Sequence, residues 1–420
     1  MIKRNPNMGR LRAGYLFPEI ARRRREFAAK HPDAKIISMG VGNTTEPIMP
    51  HICAALVEGA RRLGGAETYS GYADEGLPEL RKAVSEVYYK GMFRADEVFI
   101  SDGAKCDIGR LQTLFGAGVN IAVQDPSYPV YVDGSVISGA AGREKPDAIF
   151  ECEDCHSEDT GYGGVSYLPC TPENNYFPDL SAIKNDSVVY FCSPNNPTGA
   201  VANKAQLTAL VSAALRTGSI IVYDAAYSAY IRNTDLPKTI YEIPLARKCA
   251  IEVNSFSKSA GFTGVRLGWS IVPKDLSFSD GESVNGDWAR LTATVFNGAS
   301  NIAQYGGLAA LDSEGQEEIR ALTDFYLENA RLIRGALKAM NIGSIGGDNS
   351  PYIWARFPGR LSWDVFEELL EKYHVVTTPG RGFGPAGESF IRFSAFGHRS
   401  DIEEACGRLC GHPVSRQCGD

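Results

Sequence analysis

Short, almost wholly apolar runs recur along the first two thirds of the chain, separated by longer segments whose apolar positions return at helical spacing. Runs at 98–101, 120–123, 187–192, 219–223, 249–254 and 269–272 read as buried strands, and their alternation with helical segments predicts an α/β fold with a mostly parallel central sheet. Most runs end where unusual polar residues begin: Asp125 and Tyr128, Asn196, Asp224 and Tyr227, then Lys258. Ligands of open α/β sheets bind at the carboxyl ends of the strands, so the chain places its rare chemistry along one rim.

Beyond about residue 310 the pattern changes. One long amphipathic helix is predicted over 314–340, a strand over 352–357, a helix over 363–373 and a strand over 389–394, which together suggest a smaller α+β domain. Residues 1–50 show no sheet-like alternation and are expected to form an arm and part of that smaller domain. The expected division is therefore 1–50 with the small domain, 51–310 as the large domain and 311–420 as the C-terminal part of the small one.

Composition narrows the classes. A chain of 420 residues with 44% hydrophobic and 22% charged positions is an ordinary globular protein of two to three domains. A net charge of −7 argues against nucleic acid as partner, and the basic run Arg22-Arg23-Arg24-Arg25 reads as the solvated face of a helix starting near Pro18. No apolar stretch approaches the ~20 residues of a membrane span. Neither an apolar signal core nor a Ser-rich transit peptide opens the sequence, which fits a protein made where it works or a mature form relieved of its targeting segment.

Ten cysteines, mostly single, fit reduced thiols. Cys152-Glu153-Asp154-Cys155-His156 matches C-x-x-C-H, yet its acidic setting and the glycines that follow read as a surface insertion rather than a haem or metal site. No metal is expected.

Chemistry concentrates in four segments: Ser193-Pro194-Asn195-Asn196-Pro197-Thr198-Gly199, Tyr223-Asp224-Ala225-Ala226-Tyr227, Ser255-Phe256-Ser257-Lys258, and Ile391-Arg392-Phe393-Ser394. Each alone has an ordinary explanation as a turn, a helix cap, a loop lysine or a surface ion pair. Together they supply what pyridoxal phosphate needs. Lys258 is a nucleophile for an aldehyde once burial or nearby cations lower its pKa. Ser255, Ser257 and Arg266 offer donors to a phosphate. Asp224 can hold the ring nitrogen protonated, Asn196 and Tyr227 can donate to the phenolic oxygen, Tyr128 can cover the ring face, and Arg392 can clamp an α-carboxylate with its fork.

This ordered set resembles the fold-type I pyridoxal-phosphate-dependent aminotransferases over nearly the whole chain. The resemblance implies Lys258 as Schiff-base lysine and proton shuttle, with Asp224 and Tyr128 as its catalytic companions. As cofactor ligands it implies Asp224, Asn196, Tyr227, Tyr128, Ser255, Ser257, Lys258, Arg266 and Asn297, Ala104 and Lys105 at a helix start, and Tyr72 reaching over from a second subunit. A narrower likeness, carried by GYLFPEIARR from Gly14, YSGY from Tyr69, SDGAKCD from Ser101, QDPSYPVYVD from Gln124, GFTGVRLGW from Gly261, FNGASN from Phe296 and SAFGHR from Ser394, is to the plant and algal LL-diaminopimelate aminotransferases. It implies amino transfer between LL-diaminopimelate with 2-oxoglutarate and tetrahydrodipicolinate with glutamate in lysine biosynthesis. The substrate contacts it implies are Tyr15, Gly42, Glu75, Lys105, Tyr128, Asn196, Asn297 and Arg392. It also implies a homodimer with shared active sites, located in the chloroplast stroma or alternatively the cytoplasm. Segment 155–168 departs from the pattern as a glycine-rich, acidic insertion. A related aminotransferase of the same fold, for aromatic or aliphatic amino acids, is the alternative.

Overall fold

The computed structural model describes residues 1–11, 16–142 and 161–411. Cys152, Cys155, His156 and Tyr15 lie outside the described residues. Seven strands form the central sheet: β1 Val98–Ser101, β2 Asn120–Asp125, β3 Val165–Pro169, β4 Ser187–Cys192, β5 Ile220–Asp224, β6 Ala250–Ser255 and β7 Gly268–Ile271. Their order is β1-β7-β6-β5-β4-β2-β3, and β7 alone runs antiparallel to both neighbours. β4 and β6 are buried along their whole length, as expected of strands covered by helices on both faces.

Two differences from the sequence expectation have physical reasons. Asp224 and Ser255 are the last residues of their strands, because backbone pairing carries on beneath their polar side chains, as in the Cys192–Asp224 and Asp224–Val253 pairs. Residues 165–168 belong to no insertion. They form β3, the sheet-edge strand paired with β2, and this strand was missed because its run is short and follows a glycine-rich stretch.

Local signals set the helices. Asn203 and Gln206 form a reciprocal capping box at the start of Lys204–Thr217, and Gly218 ends that helix in the left-handed region at φ 64°, where a side chain is costly. The long helix Ser313–Ala339 is capped by Asp312, whose side chain accepts from the Gly315 amide. Its buried residues Ile319, Leu322, Tyr326, Ala330, Ile333 and Leu337 form one face.

That face serves two cores. Ile319, Leu322 and Tyr326 pack with the large sheet, while Ala330, Ile333 and Leu337 pack with the C-terminal sheet. This second sheet is antiparallel, with strands β8 Ser344–Gly346, β9 Tyr352–Arg356, β10 Thr378–Pro379 and β11 Phe390–Ser394 in the order β10-β11-β9-β8. Leu16, Ile20 and Phe27 of helix Leu16–Lys30 join the same core, and Ile37–Ser38 pairs parallel with Val375–Val376. The N-terminal segment thus completes the C-terminal one. Among the described residues no helix is long and apolar enough to cross a membrane, and all seven described cysteines are free thiols.

One buried charge in the large core makes stability depend on pH. Glu252 on β6 is 1% exposed and accepts from Tyr89 Oη at 2.7 Å, Thr239 Oγ1 at 2.5 Å and the Ile240 amide at 3.2 Å. Burial nevertheless pushes its carboxyl up to about 7. A carboxyl whose folded pKa is raised favours folding while it is protonated, and that contribution is lost as pH rises through about 7. Glu252→Gln is therefore expected to flatten the decline in stability between about pH 4.5 and 7.5, a difference on the order of 3 kcal/mol. Parallel pH–Tm curves for the two proteins would refute this.

Candidate active site

A cavity of about 320 Å³ opens at the carboxyl ends of β2, β4, β5 and β6. Its lining includes Gly42, Ala104, Lys105, Tyr128, Asn196, Asp224, Tyr227, Ser255, Ser257, Lys258, Arg266 and Arg392. Twelve positions scattered from one end of the sequence to the other thus meet in one place, most of them where strands end.

Lys258 sits in the short helix Phe256–Ser259 directly after β6. Ser255 caps that turn by accepting the Ser257 amide at 3.0 Å, and Tyr230 Oη donates to the Lys258 carbonyl at 2.8 Å. The amine therefore projects from backbone fixed at both ends, and Nζ donates to the Gly42 carbonyl. Burial first, then the charges of Arg392 and Arg266, bring its pKa down to about 8. Roughly a tenth of such amines are neutral at pH 7, against fewer than one in a thousand for a free lysine.

Two buried charges line the same cavity without a counter-ion. Asp224, 5% exposed, accepts from Tyr131 Oη at 2.7 Å and from the Ala226 amide at 3.0 Å. Burial still raises its pKa, and among the described residues no cation pairs with it. Arg392, 1% exposed, donates to Asn196 Oδ1 at 2.7 Å and to the Gly40 carbonyl at 2.5 Å, and its Nε has no partner. Its guanidinium lies against the rings of Tyr352 and Phe383. A buried carboxylate and a buried guanidinium, each short of an opposite charge, are costly unless a ligand brings one. Pyridoxal phosphate carrying an amino acid would bring both, a ring nitrogen cation to Asp224 and a carboxylate to Arg392.

The phosphate end is equally shaped. Gly103, at φ 120°, precedes helix Ala104–Phe115, and a Cβ there would stand 2.6 Å from Arg266 Nη2. Gly268 likewise admits the Gly103 backbone, since its own Cβ would meet Gly103 Cα at 2.8 Å. These two glycines bring a helix N-terminus beside Arg266, a site that attracts anions. Arg266 Nη1 donates to Ser257 Oγ at 3.2 Å, which leaves the Ser257 proton available to a ligand. Ser255 differs, because its hydroxyl donates to the Leu267 carbonyl at 3.2 Å and would have to turn before binding phosphate. With that one adjustment the residues fit the group.

Two residues of this site were not anticipated from sequence. Tyr131 follows Tyr128 by one helical turn, so the spacing alone could have pointed to it. Tyr352, whose hydroxyl lies 2.9 Å from that of Tyr227, arrives on β9 through packing of the two cores, and no local signal marks it.

Three predicted residues lie elsewhere. Tyr72, 83% exposed, and Glu75 line a separate recess, where Glu75 pairs with Arg81 at 2.7 Å. Asn297 is exposed beside Gly298, whose Cβ would press on the Ala73 carbonyl. Asn301 Nδ2 donates to the Ser70 and Gly71 carbonyls at 3.2 and 2.8 Å. Tyr72, Glu75 and Asn297 thus share one surface patch.

Fold and cavity together define an aminotransferase of the pyridoxal-phosphate-dependent class I and II kind, and the family model described as "Aminotransferase class I and II" matches residues 158–409. A rice (Oryza sativa subsp. japonica) protein named probable LL-diaminopimelate aminotransferase, chloroplastic, is 54% identical over 97% of this chain and 86% of its own. The LL-diaminopimelate aminotransferase of Protochlamydia amoebophila is 50% identical over 97% of each chain. The solved L,L-diaminopimelate aminotransferase from Chlamydomonas reinhardtii is 55% identical and superposes with a TM-score of 0.90, covering 97% of this chain and 98% of that one. The chain belongs to the LL-diaminopimelate aminotransferase family.

Proposed function

We propose that this protein moves an amino group between LL-diaminopimelate and 2-oxoglutarate, with pyridoxal 5′-phosphate as cofactor and as a homodimer. The observation that carries the reading is the Lys258 amine, its pKa brought down to about 8, held in one cavity with the unpaired charges of Asp224 and Arg392. Bound there, pyridoxal phosphate supplies an aldehyde carbon for the amine and an electron sink for the bond broken at Cα.

The protein's own residues do the rest. With the cofactor bound, Lys258 would be the base that takes the Cα proton and gives a proton back on the cofactor side of the amino nitrogen. Asp224, steadied by Tyr131, would hold positive charge at the ring nitrogen, while Asn196 and Tyr227 would hydrogen-bond the phenolic oxygen. Ser257, Arg266 and the start of helix Ala104–Phe115 would hold the phosphate, and Tyr128 would cover the ring. Arg392 binds the α-carboxylate and so aims the Cα–H bond at the lysine.

The patch carrying Tyr72, Glu75 and Asn297 supports the dimer, since those residues reach a cavity only if they complete that of a second copy. On this reading Tyr72 approaches the phosphate, and Glu75, released from Arg81, reads the distal ammonium of diaminopimelate. Tyr15 is assigned to the substrate by family likeness. The compartment proposed is the chloroplast stroma, supported by the name carried by the rice relative.

An assay with 2-oxoglutarate as acceptor tests the reading. LL-diaminopimelate is expected to exceed meso-diaminopimelate and aromatic donors by at least about tenfold in kcat/KM, the margin given by one correctly paired buried group. Glu75→Ala should cost more with diaminopimelate than with glutamate. A preference for aromatic donors would overturn the substrate assignment.

A further inference from the structure

Asp125, the last residue of β2, has a carboxylate that no step above uses. It is 2% exposed, and both of its oxygens lie 3.1 Å from the amide nitrogen of Ala386, which donates to them. Burial pushes this carboxyl up to about 7, with the Ala386 amide and the Arg381 charge pulling the other way. The contact is tight: Gly384, at φ 138°, would place a Cβ 2.2 Å from Asp125 Oδ1. A second bond runs alongside, from the Ser127 amide to the Phe383 carbonyl at 2.9 Å. The Asp125 backbone is itself held, its carbonyl accepting from the Cys170 amide at 2.7 Å.

The loop gripped in this way is 380–387, and its inner face touches the substrate clamp. The Phe383 ring lies 4.8 Å from the guanidinium carbon of Arg392 and edge-on to Trp354 at 6.2 Å. The Tyr352 ring also lies against the Arg392 group, at 4.4 Å. Because Nε makes no hydrogen bond, the direction of the guanidinium plane depends on these two rings and on the bonds to Asn196, Gly40 and Thr378. A shift of loop 380–387 would therefore turn the fork that receives a carboxylate.

We propose that Asp125 is a positioning residue for substrate binding, holding the backbone at 384–386 so that Phe383 keeps Arg392 aimed into the cavity. The proposal rests on the reading of Arg392 as the carboxylate clamp, and the test separates the two.

The holoenzyme is compared with its Asp125→Ala, Asp125→Asn, Phe383→Leu and Arg392→Lys variants, using glutamate kinetics and the dissociation constant of glutarate, an unreactive dicarboxylate. Asp125→Ala is expected to raise both KM and the glutarate constant about 10- to 100-fold, the effect of misplacing a group by roughly 1 Å, with kcat changed less than about threefold. Asp125→Asn keeps an oxygen for the Ala386 amide and should restore most of the loss. Phe383→Leu, which leaves the latch intact, should reproduce the rise, and the double variant should add little to either single one. Phe383→Leu also carries the test if Asp125→Ala does not fold. Unchanged KM and glutarate binding in Asp125→Ala or Phe383→Leu, an equal fall in kcat and kcat/KM, or failure of Asp125→Asn to rescue would overturn the proposal. If Arg392→Lys also left glutarate binding unchanged, the clamp reading itself would fail.

Discussion

Lys258→Ala is expected to lower kcat by at least about 10⁴-fold, because under the proposed function one side chain serves both as the amine that holds the cofactor and as the base at Cα. The variant should also fail to develop the near-visible absorbance that the parent acquires on addition of pyridoxal phosphate. In the parent, the rate of that spectral change depends on the neutral amine. It should rise about tenfold per pH unit up to the Lys258 pKa near 8 and level off above it. A parent rate independent of pH between 6 and 8, or a turning-over Lys258→Ala enzyme, would refute the assignment.

The same depressed pKa has an opposite consequence for folding. An amine that binds its proton less readily folded than unfolded opposes folding below its folded pKa, and the penalty fades as pH rises from about 8 towards 10.5. Lys258→Met, which fills similar space without charge, is accordingly expected to be more stable than the cofactor-free parent at pH 7, on the order of 2–3 kcal/mol. Urea denaturation at pH 7 and pH 10 measures this, and the gap should narrow at the higher pH.

Arg392→Lys should lower kcat/KM for glutamate and diaminopimelate alike, by about 10²- to 10³-fold. Charge is kept, but the planar fork is lost, together with its simultaneous bonds to Asn196 and Gly40 and the proposed one to a carboxylate. Lys258 is repelled by the Arg392 charge, and a mobile ammonium closer to it would repel it differently. The pH profile should therefore move as well as the magnitude. Substrate-dependent loss, severe for one donor and mild for the other, would mean that Arg392 does not bind the α-carboxylate that both donors share.

The sequence's own contribution can be judged residue by residue. β1 and β4 were legible to the residue because they are buried on both faces, and apolar content alone marks such strands. Lys258, Asp224, Asn196 and Arg392 were legible because their chemistry fits one cofactor jointly, although each alone looked ordinary. β3 was not, since a five-residue edge strand after glycines carries too few apolar positions to stand out. Ser255 was counted as a phosphate donor from its hydroxyl, yet that hydroxyl is engaged with Leu267, a partner brought near only by the pairing of β6 with β7.

What the sequence by itself determined was the reaction class, because the kinds of side chain and their order along the chain are local properties fixed by the strands that carry them. Only the tertiary structure decided how those side chains are tuned. It buries Lys258 near two arginines, sets Tyr131 against Asp224, and packs the Phe383 and Tyr352 rings against Arg392. It also leaves Tyr72, Glu75 and Asn297 outside the cavity, gathering them on one surface patch. Burial and distance are properties of the folded chain, and pKa values, orientation and completeness of a site follow from them rather than from residue type.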